Sequence, residues 1–321
     1  MYNKDDFKKS LELLEQAVEL EPDYAEALAY LAQVYFSSPN FLGSDFVSSH
    51  EMGIKYANRA IALDPGLVAP RQLQARGLFN IGNYLEAESL YKESIRRAPH
   101  HAGLHVGYGQ FLLHMGKIAE ARKHLDLAAE LNPLSAGYAG ALARVALQFD
   151  DDVTTEKLIG TAKDMGWGAA DLIADYYWKK KRNYKKAIDA MRGDFNYLMG
   201  DASSSLNYAE YMQAVETRTP TPEAIDFIKT VAKLIKHPKF WKMRGYLEIG
   251  ELDKAFAEFP LPLESGDPQV LNKVWLPHIA YARRSESFKK MVSRFGLVAY
   301  WHQSGWPDYC RPLSDTDFIC E

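Results

Sequence analysis

Three prolines recur 34 residues apart, in Ala62-Leu63-Asp64-Pro65, Arg97-Ala98-Pro99 and Glu130-Leu131-Asn132-Pro133. A 34-residue period that ends in proline is typical of stacked helix–turn–helix units. One such unit cannot bury its own apolar face, so it must stack on its neighbours, and the stack presents an extended surface to other molecules. The period therefore predicts an all-α solenoid that acts by binding.

The unit that ends at Pro99 shows the plan most clearly. Helix A is predicted from Val68 to Ile81, and Gly82-Asn83 makes the turn because glycine tolerates positive φ. Helix B follows from Tyr84 to about Arg97, with Ala87 as the small residue where helix B crosses helix A. Pro99 then ends the helix, since proline cannot donate a backbone hydrogen bond.

The other units are less regular. The interval from Pro22 to Pro65 is 43 residues, nine more than 34, and the excess is predicted as a loop at residues 37–45. Residues 7–21 are predicted as a helix B that lacks its helix A. Either the array begins with a half unit or the chain was cut from a longer one. Further helix pairs are predicted at residues 25–65, 102–135, 136–165, 169–192, 201–236 and 240–259.

The repeats resemble the tetratricopeptide repeat (TPR). The shared features are a small residue in helix A such as Gly109, a glycine at the turn such as Gly116, an Ala-x₃-aromatic spacing in helix B such as Ala87 and Tyr91, and the final proline. The family's helix-A tryptophan is absent from several units, where Leu28, Arg71 and His105 stand.

The resemblance implies a right-handed superhelical solenoid with an irregular aromatic C-terminal cap. Its expected domain organisation is a solenoid at residues 1–259, with regular repeats at about 7–135 and degenerate repeats at 136–259. The expected capping segment is residues 260–321.

The end of the chain carries a second resemblance. Residues 288–301 (FKKMVSRFGLVAYW) and 305–310 (GWPDYC) are similar to the end of a bacterial group of TPR regions. Those regions follow winged-helix transcription regulator domains or class III adenylate cyclase domains. The resemblance implies a sensory or protein-interaction region of a bacterial signalling or transcription-regulatory protein. No winged helix and no cyclase carboxylate core occurs in this sequence, so no activity is carried over.

Large aromatic residues are dense in this ending, and exposed apolar patches invite association. We therefore expect Phe295 to Tyr309 to fold back onto the helices of residues 240–259 and to bury Trp301 as a cap. The alternatives are an aromatic ligand pocket and a dimer patch.

Composition narrows the classes of function. The net charge is −4 and the pI near 6.2, and the longest basic tract, Lys179-Lys180-Lys181-Arg182, is expected to be a solvated helix end, so nucleic-acid binding is not predicted. No apolar run is long enough for a membrane span, and no membrane partner is predicted. The expected location is cytoplasmic, or periplasmic if the chain was cut from a membrane-spanning regulator. Cys310 and Cys320 can bridge in an oxidising compartment or remain thiols in the cytosol.

Motifs that carry chemistry are missing. The sequence has no glycine-rich phosphate loop, no H-E-x-x-H, no C-x-x-C and no G-x-S-x-G elbow, so we predict no enzyme, no catalytic residue and no cofactor. His100-His101 with His105 and the Asp150-Asp151-Asp152 run are expected to be turn residues, and no metal site is predicted.

The concave face is the remaining candidate site. In a TPR solenoid, helix-A residues line it, and a series of amide and guanidinium groups suits the carbonyls or carboxylates of an extended peptide. A protein or peptide partner is therefore predicted, with homo-oligomers, self-assembly or a small-molecule ligand as alternatives. The predicted groove residues are Gln33, Phe36, Gln72, Arg76, Phe79, Gln110, Leu113, Arg144, Leu147 and Tyr176.

Overall fold

The structure is a computed structural model that describes residues 4–149, 151–166, 170–235, 238–259, 268–315 and 317–321. Almost every described element is a helix, and consecutive helices pack as antiparallel hairpins, which confirms the all-α fold class. The described residues divide into two compact units. The first contains residues 4–111 and Pro268, and the second contains residues 112–259 and 269–321.

The first unit is built from hairpins in the order that the 34-residue period predicts. Its helices are α1 (Lys4–Leu20), α2 (Ala25–Leu42), α3 (Phe46–Leu63), α4 (Ala69–Asn80), α5 (Tyr84–Arg97) and the first part of α6 (Ala102–His114).

The second unit continues the same plan with less regular lengths. Its helices are α7 (Ile118–Leu131), α8 (Ala136–Ala146), α9 (Asp152–Asp164), α10 (Ala170–Lys180), α11 (Tyr184–Met199), the 3₁₀ helix η1 (Gly200–Ser205), α12 (Tyr208–Thr217), α13 (Pro222–Leu234), α14 (Pro238–Ile249) and α15 (Leu252–Ala257).

The C-terminal segment, residues 269–321, belongs to the second unit. Two short antiparallel strands at its end pair Cys310 with Cys320, and a disulfide joins these two cysteines. Of the two redox states that the sequence allows, the structure has the bridged one. The elements are η2 (Pro268–Trp275), η3 (Pro277–Arg284), α16 (Glu286–Arg294), α17 (Leu297–Ser304), β1 (Cys310–Pro312) and β2 (Phe318–Cys320).

Small residues at the helix crossings let the hairpins pack closely. Ala57 and Ala60 in α3, Ala87 in α5 and Ala121 and Ala128 in α7 have no exposed surface. Alanine brings two helix backbones together where a longer side chain would hold them apart. The helix-B positions chosen from the sequence are therefore core positions.

The expected loop at residues 37–45 is mostly helix. Helix α2 continues to Leu42 with Pro39 inside it, and only Gly43 to Asp45 connect it to α3. Gly43 has φ +71°, and the Asp45 carboxylate accepts a hydrogen bond from the backbone N–H of Ser48, which caps α3. The inserted residues lengthen both helices of the hairpin instead of forming a loop, a result that local turn signals do not reveal.

The C-terminal segment covers the turn between α6 and α7. The indole N–H of Trp275 donates to the carbonyl of His114, and that of Trp301 donates to the carbonyl of Met115, each at 3.2 Å. Helix C-termini leave carbonyls without intrahelical donors, and these two indoles satisfy two of them at the end of α6. Lys117 Nζ donates to the Ser304 carbonyl at 2.6 Å.

Asp308 completes this contact at the start of α7. Its backbone N–H donates to the Gly116 carbonyl at 3.0 Å, and its carboxylate accepts from the Ala119 backbone N–H at 2.7 Å. Gly116 has φ +79°, and a Cβ added there would lie 2.6 Å from the Trp275 ring and 2.7 Å from Pro307. The turn therefore requires glycine both for its backbone conformation and for the close approach of the segment.

The prediction that Trp301 is buried is confirmed, since its side chain has no exposed surface. The element that Trp301 contacts differs from the predicted one. Phe295 does pack edge-on against Phe259, at 5.8 Å between ring centroids. Trp301 instead reaches the α6–α7 turn, more than 180 residues earlier in the chain. The repeat period contains no information about such a long-range contact. No helix among the described residues is long and apolar enough to cross a membrane.

Replacing Ala87 by leucine tests the repeat register. The longer side chain would overpack the crossing of α4 and α5, and we expect a loss of about 1–3 kcal/mol in the free energy of unfolding, measured by urea denaturation. Ala62→Leu, at an exposed position of α3, is the control and should change stability little. Equal stability of the two variants would contradict the register.

Replacing Gly116 by alanine tests the seat of the C-terminal segment. Gly166 has a similar φ of +75° in the same unit, but a Cβ there would meet nothing within 4 Å. Gly166→Ala should therefore cost only the left-handed backbone conformation, about 1–2 kcal/mol. Gly116→Ala should cost roughly 1–3 kcal/mol more because of overpacking against Trp275 and Pro307. Equal losses in thermal or urea unfolding would show that the segment does not press on this turn.

Candidate functional site

The ten predicted groove residues fall into three classes of exposure. The polar ones reach the surface at least in part, and the apolar ones and Tyr176 do not. The exposed residues are Gln33 and Arg76, the half-buried residues are Gln72, Gln110 and Arg144, and the buried residues are Phe36, Phe79, Leu113, Leu147 and Tyr176.

The five buried residues hold hairpins together. The Phe36 ring lies against Gly53 and Gly77, where an added Cβ would come within 2.9 Å and 2.6 Å of it. Phe79 packs edge-on against Phe111, with 5.6 Å between ring centroids. These helix-A positions face the neighbouring helices, so their side chains are packing residues and not an accessible surface.

An open apolar groove lies between α1 and α2 in the first unit, with a volume of about 580 Å³. We call it the N-terminal groove. Its two most exposed apolar residues are Leu13, at 54% exposure, and Tyr30, at 62%. Gln33 is the one predicted groove residue in its lining. The complete lining is Asp6, Phe7, Ser10, Leu13, Leu14, Tyr30, Gln33, Val34 and Ser37.

The N-terminal groove corresponds to a place that is filled 43 residues later. There α2 packs against both α3 and α4, and Phe36 enters between Gly53, Gly77 and His50. Subtracting the 43-residue interval of Pro22 and Pro65 turns these three positions into Ser10, Val34 and Phe7, all of which line the groove. The N-terminal groove therefore has the form of a seat for one more helix A.

The residues in the groove also limit what fits. The two glycines that admit the Phe36 ring correspond to Ser10 and Val34, which are larger, and Ala57 corresponds to Leu14. The groove is consequently shallower than the seat of α2. It suits an amphipathic helix with aliphatic anchors smaller than phenylalanine.

A buried cluster of charged side chains lies in the second unit. Lys179 Nζ is 3.0 Å from Asp175 Oδ2 and 2.6 Å from Glu248 Oε2. Arg244 pairs with Asp175, and its Nε donates to Glu248 Oε1 at 3.1 Å. The Tyr211 hydroxyl donates to Glu248 Oε2 at 2.6 Å. These residues, which we call the ionic cluster, join α10, α12 and α14 away from water.

Neighbouring cations keep Glu248 charged. Burial disfavours ionisation of Glu248, but Lys179 and Arg244 outweigh it and hold the pKa of that carboxyl well below its usual range. Lys179 was expected at a solvated helix end, yet it is almost wholly buried. Only Lys181 and Arg182 of the basic tract are exposed, since Lys180 is half-buried and Lys179 pairs with Asp175 one turn earlier and with Glu248 on α14.

The sequence contains a pattern that indicates the ionic cluster, but this pattern by itself is weak evidence for a buried site. Asp175 and Lys179 are four residues apart, as are Arg244 and Glu248, so each pair lies on one helical face. Such pairs are common on solvated helices. Only the fold, which places α14 within ion-pair distance of α10, brings the two pairs together.

The histidine and aspartate runs serve local structure. The His105 ring Nε2 lies 2.9 Å from the Pro99 carbonyl, and Asp151 caps α9 by accepting from the Thr154 backbone N–H at 3.1 Å. Asp150 lies outside the described residues. In the part of the chain that the structure describes, no group of three or more His, Cys, Asp or Glu side chains could hold a metal ion.

Comparison with known proteins identifies the repeats. Two family models described as tetratricopeptide repeat match the sequence, over residues 81–145 and 2–44. A search of curated proteins returns no match.

One solved structure shows the same fold at low sequence identity, and two others match with lower scores. The crystal structure of the APC/C hetero-tetramer Cut9–Hcn1 matches with a TM-score of 0.54 and 16% identity over 79% of this chain. This chain spans only 44% of that matched chain. Pseudomonas aeruginosa PilF matches with 0.49 and 17% identity over 65% of this chain and 90% of its own. Yeast Tom70 matches with 0.47 and 18% over 94% and 60%.

Asp194 on α11 gives the second unit a predictable pH dependence. Burial raises its pKa to about 6, against the opposing effect of Arg244. The folded state thus binds the proton more tightly than the unfolded chain, whose aspartate titrates near pH ~4, so stability falls as pH rises from about 4 to about 6. Asp194→Asn removes this cost and should raise stability at pH 7 by up to roughly 3 kcal/mol, with no gain at pH 4.

Thermal melts across this pH range measure the effect. Asp189→Asn, at an exposed position of the same helix, is the matched control. A gain from Asp194→Asn that is the same at pH 4 and pH 7 would show that the buried carboxylate is not the cause.

Proposed function

We propose that this chain, a tetratricopeptide-repeat protein, is a protein-interaction scaffold that binds an amphipathic helix of a protein partner in its N-terminal groove. The observation that carries the proposal is the 43-residue correspondence between this groove and the seat of α2. Helix-in-groove binding places apolar anchors three and four residues apart, the spacing by which α2 itself packs.

The helix replaces the extended peptide that the sequence alone favours, because the open apolar surface has the form of a helix seat. Two of the polar positions predicted from the sequence remain available as contacts for the partner, one in the groove and one outside it. Gln33 lines the groove itself, and Arg76 is exposed on α4. We assign no catalytic role to the chain.

We also infer that the chain is the sensory or partner-binding region of a bacterial signalling or transcription-regulatory protein. The support is the resemblance of residues 288–310, which form α16, α17 and the loop that holds the α6–α7 turn. The disulfide of Cys310 and Cys320 favours the periplasmic location over the cytoplasmic one, because disulfides persist in oxidising compartments. Alkylation of free thiols in intact cells tests the location.

Selection from a library of helical peptides tests the proposed site. We expect amphipathic peptides with leucine- or alanine-sized anchors to bind the wild-type chain. Leu13→Glu with Tyr30→Glu should weaken their binding at least about tenfold, since it places charge in an apolar seat. Both side chains are largely exposed, so the fold should be retained.

The matched control is Leu20→Glu. Leu20 is on the same helix and is 87% exposed, but it lies outside the groove, so peptide binding should be unchanged. Peptides that bind both variants equally would contradict the proposed site. If sedimentation instead shows that Leu13→Glu with Tyr30→Glu converts a dimer into a monomer, the occupant is a second copy of the chain and a separate partner is excluded.

A further inference from the structure

A second pocket, of about 400 Å³, lies beside the ionic cluster in the second unit. Four basic side chains line it against two carboxylates. Lys179 forms ion pairs with Asp175 and Glu248 in the ionic cluster, and Lys180 Nζ donates to the Phe149 carbonyl at 2.9 Å. Arg182 and Arg218 make no ion pair with any described residue. We call this the arginine pocket.

Both arginines have a backbone conformation that is unfavourable for their residue type. Arg182 and Arg218 each have φ +53°, and they are the non-glycine residues with positive φ among those that the structure describes. Arg182 stands at the hairpin turn where other hairpins have Gly82, Gly116 and Gly250. Glycine would adopt this conformation without strain, so the arginine contributes something other than the turn.

Arg218 is held in place by an aromatic ring. Its guanidinium lies 4.2 Å from the centroid of the Tyr281 ring, and the Tyr281 hydroxyl in turn donates to the Leu247 carbonyl. Stacking of this kind orients a guanidinium while leaving its N–H donors free to bind a planar anion.

His278 is a buried imidazole in the lining with unused hydrogen-bonding capacity. Its side chain is 6% exposed, its Nδ1 has no hydrogen-bond partner, and its Nε2 is 3.5 Å from Glu248 Oε1. Buried polar atoms in folded proteins are nearly always hydrogen-bonded, so the unpartnered Nδ1 of a residue that lines the pocket is a candidate contact for a ligand.

We propose that the arginine pocket binds a small organic anion that bears a carboxylate or phosphate group, with Arg182 and Arg218 as its clamp and His278 as a further hydrogen-bonding contact. The volume is in the range of small-molecule pockets. Glu216 and Glu248, also in the lining, oppose ligands of high negative charge. The pocket lies in the second unit and the N-terminal groove in the first, so the two proposals stand or fall separately.

Isothermal titration with inorganic phosphate and with succinate tests the pocket and distinguishes the two anion types. Ionic strength is held constant with chloride. We expect the wild-type chain to bind at least one probe with millimolar or tighter affinity. Arg182→Gly with Arg218→Gly should weaken that binding at least tenfold. The same variant should unfold at an equal or higher temperature without the probe, because glycine relieves the backbone strain.

Arg96→Gln is the control for charge, since Arg96 is exposed in the first unit and lies outside the pocket. Its affinity for the probe should match the wild type. Absence of binding of both probes to the wild-type chain would overturn the proposal, as would equal binding by the double-glycine variant. A double-glycine variant that melts earlier and binds unchanged would show that the arginines serve only the C-terminal ends of their helices.

Discussion

A helical hairpin cannot cover its own apolar face, and the structure of this chain depends on how each hairpin obtains its cover from the next. In the first unit the cover is a large side chain that enters between small ones. Phe36 reaches past Gly53 and Gly77, and no residue larger than glycine would leave it room. This contact fixes the register of three helices at once. It also shows what a filled seat of this kind looks like, so the N-terminal groove can be compared with its filled counterpart.

In the second unit, polar contacts of the C-terminal segment provide part of this cover. The end of α6 leaves carbonyls that only an outside donor can satisfy, and the indoles of Trp275 and Trp301 supply donors while their rings bury apolar surface. At the start of α7 the segment supplies an acceptor instead: the Asp308 carboxylate accepts a hydrogen bond from a backbone N–H that has no partner within the helix. One segment thus satisfies both ends of a turn, which explains why this ending combines tryptophans, a proline and an aspartate within a few residues.

The sequence predicts the helices because their determinants are local. The helix from Tyr84 to Arg97 has the predicted bounds, and helix A of the same hairpin differs by one residue at each end. Prediction from the sequence fails where the contact that decides the structure joins residues far apart in the chain. Residues 37–42 are helical despite Pro39, Lys179 turns inward toward Glu248, and Trp301 seats against Met115. Of the ten predicted groove residues, Gln33 alone lines the N-terminal groove, and the aromatic members of the set pack between helices.

The ionic cluster shows why such distant contacts resist prediction. Burying each of the four charges away from water carries a desolvation cost, and the fold tolerates it only when each charge has oppositely charged partners. Asp175 and Lys179 on α10 would be an ordinary surface pair without Arg244 and Glu248 on α14. Removing any one of the four would leave the buried cluster with an uncompensated net charge, so the cluster favours one arrangement of α10 and α14. That fixed arrangement forms one wall of the arginine pocket through Lys179 and Glu248, and Arg182 and Arg218 are the lysine or arginine side chains of its lining for which no ion pair with a described residue is found.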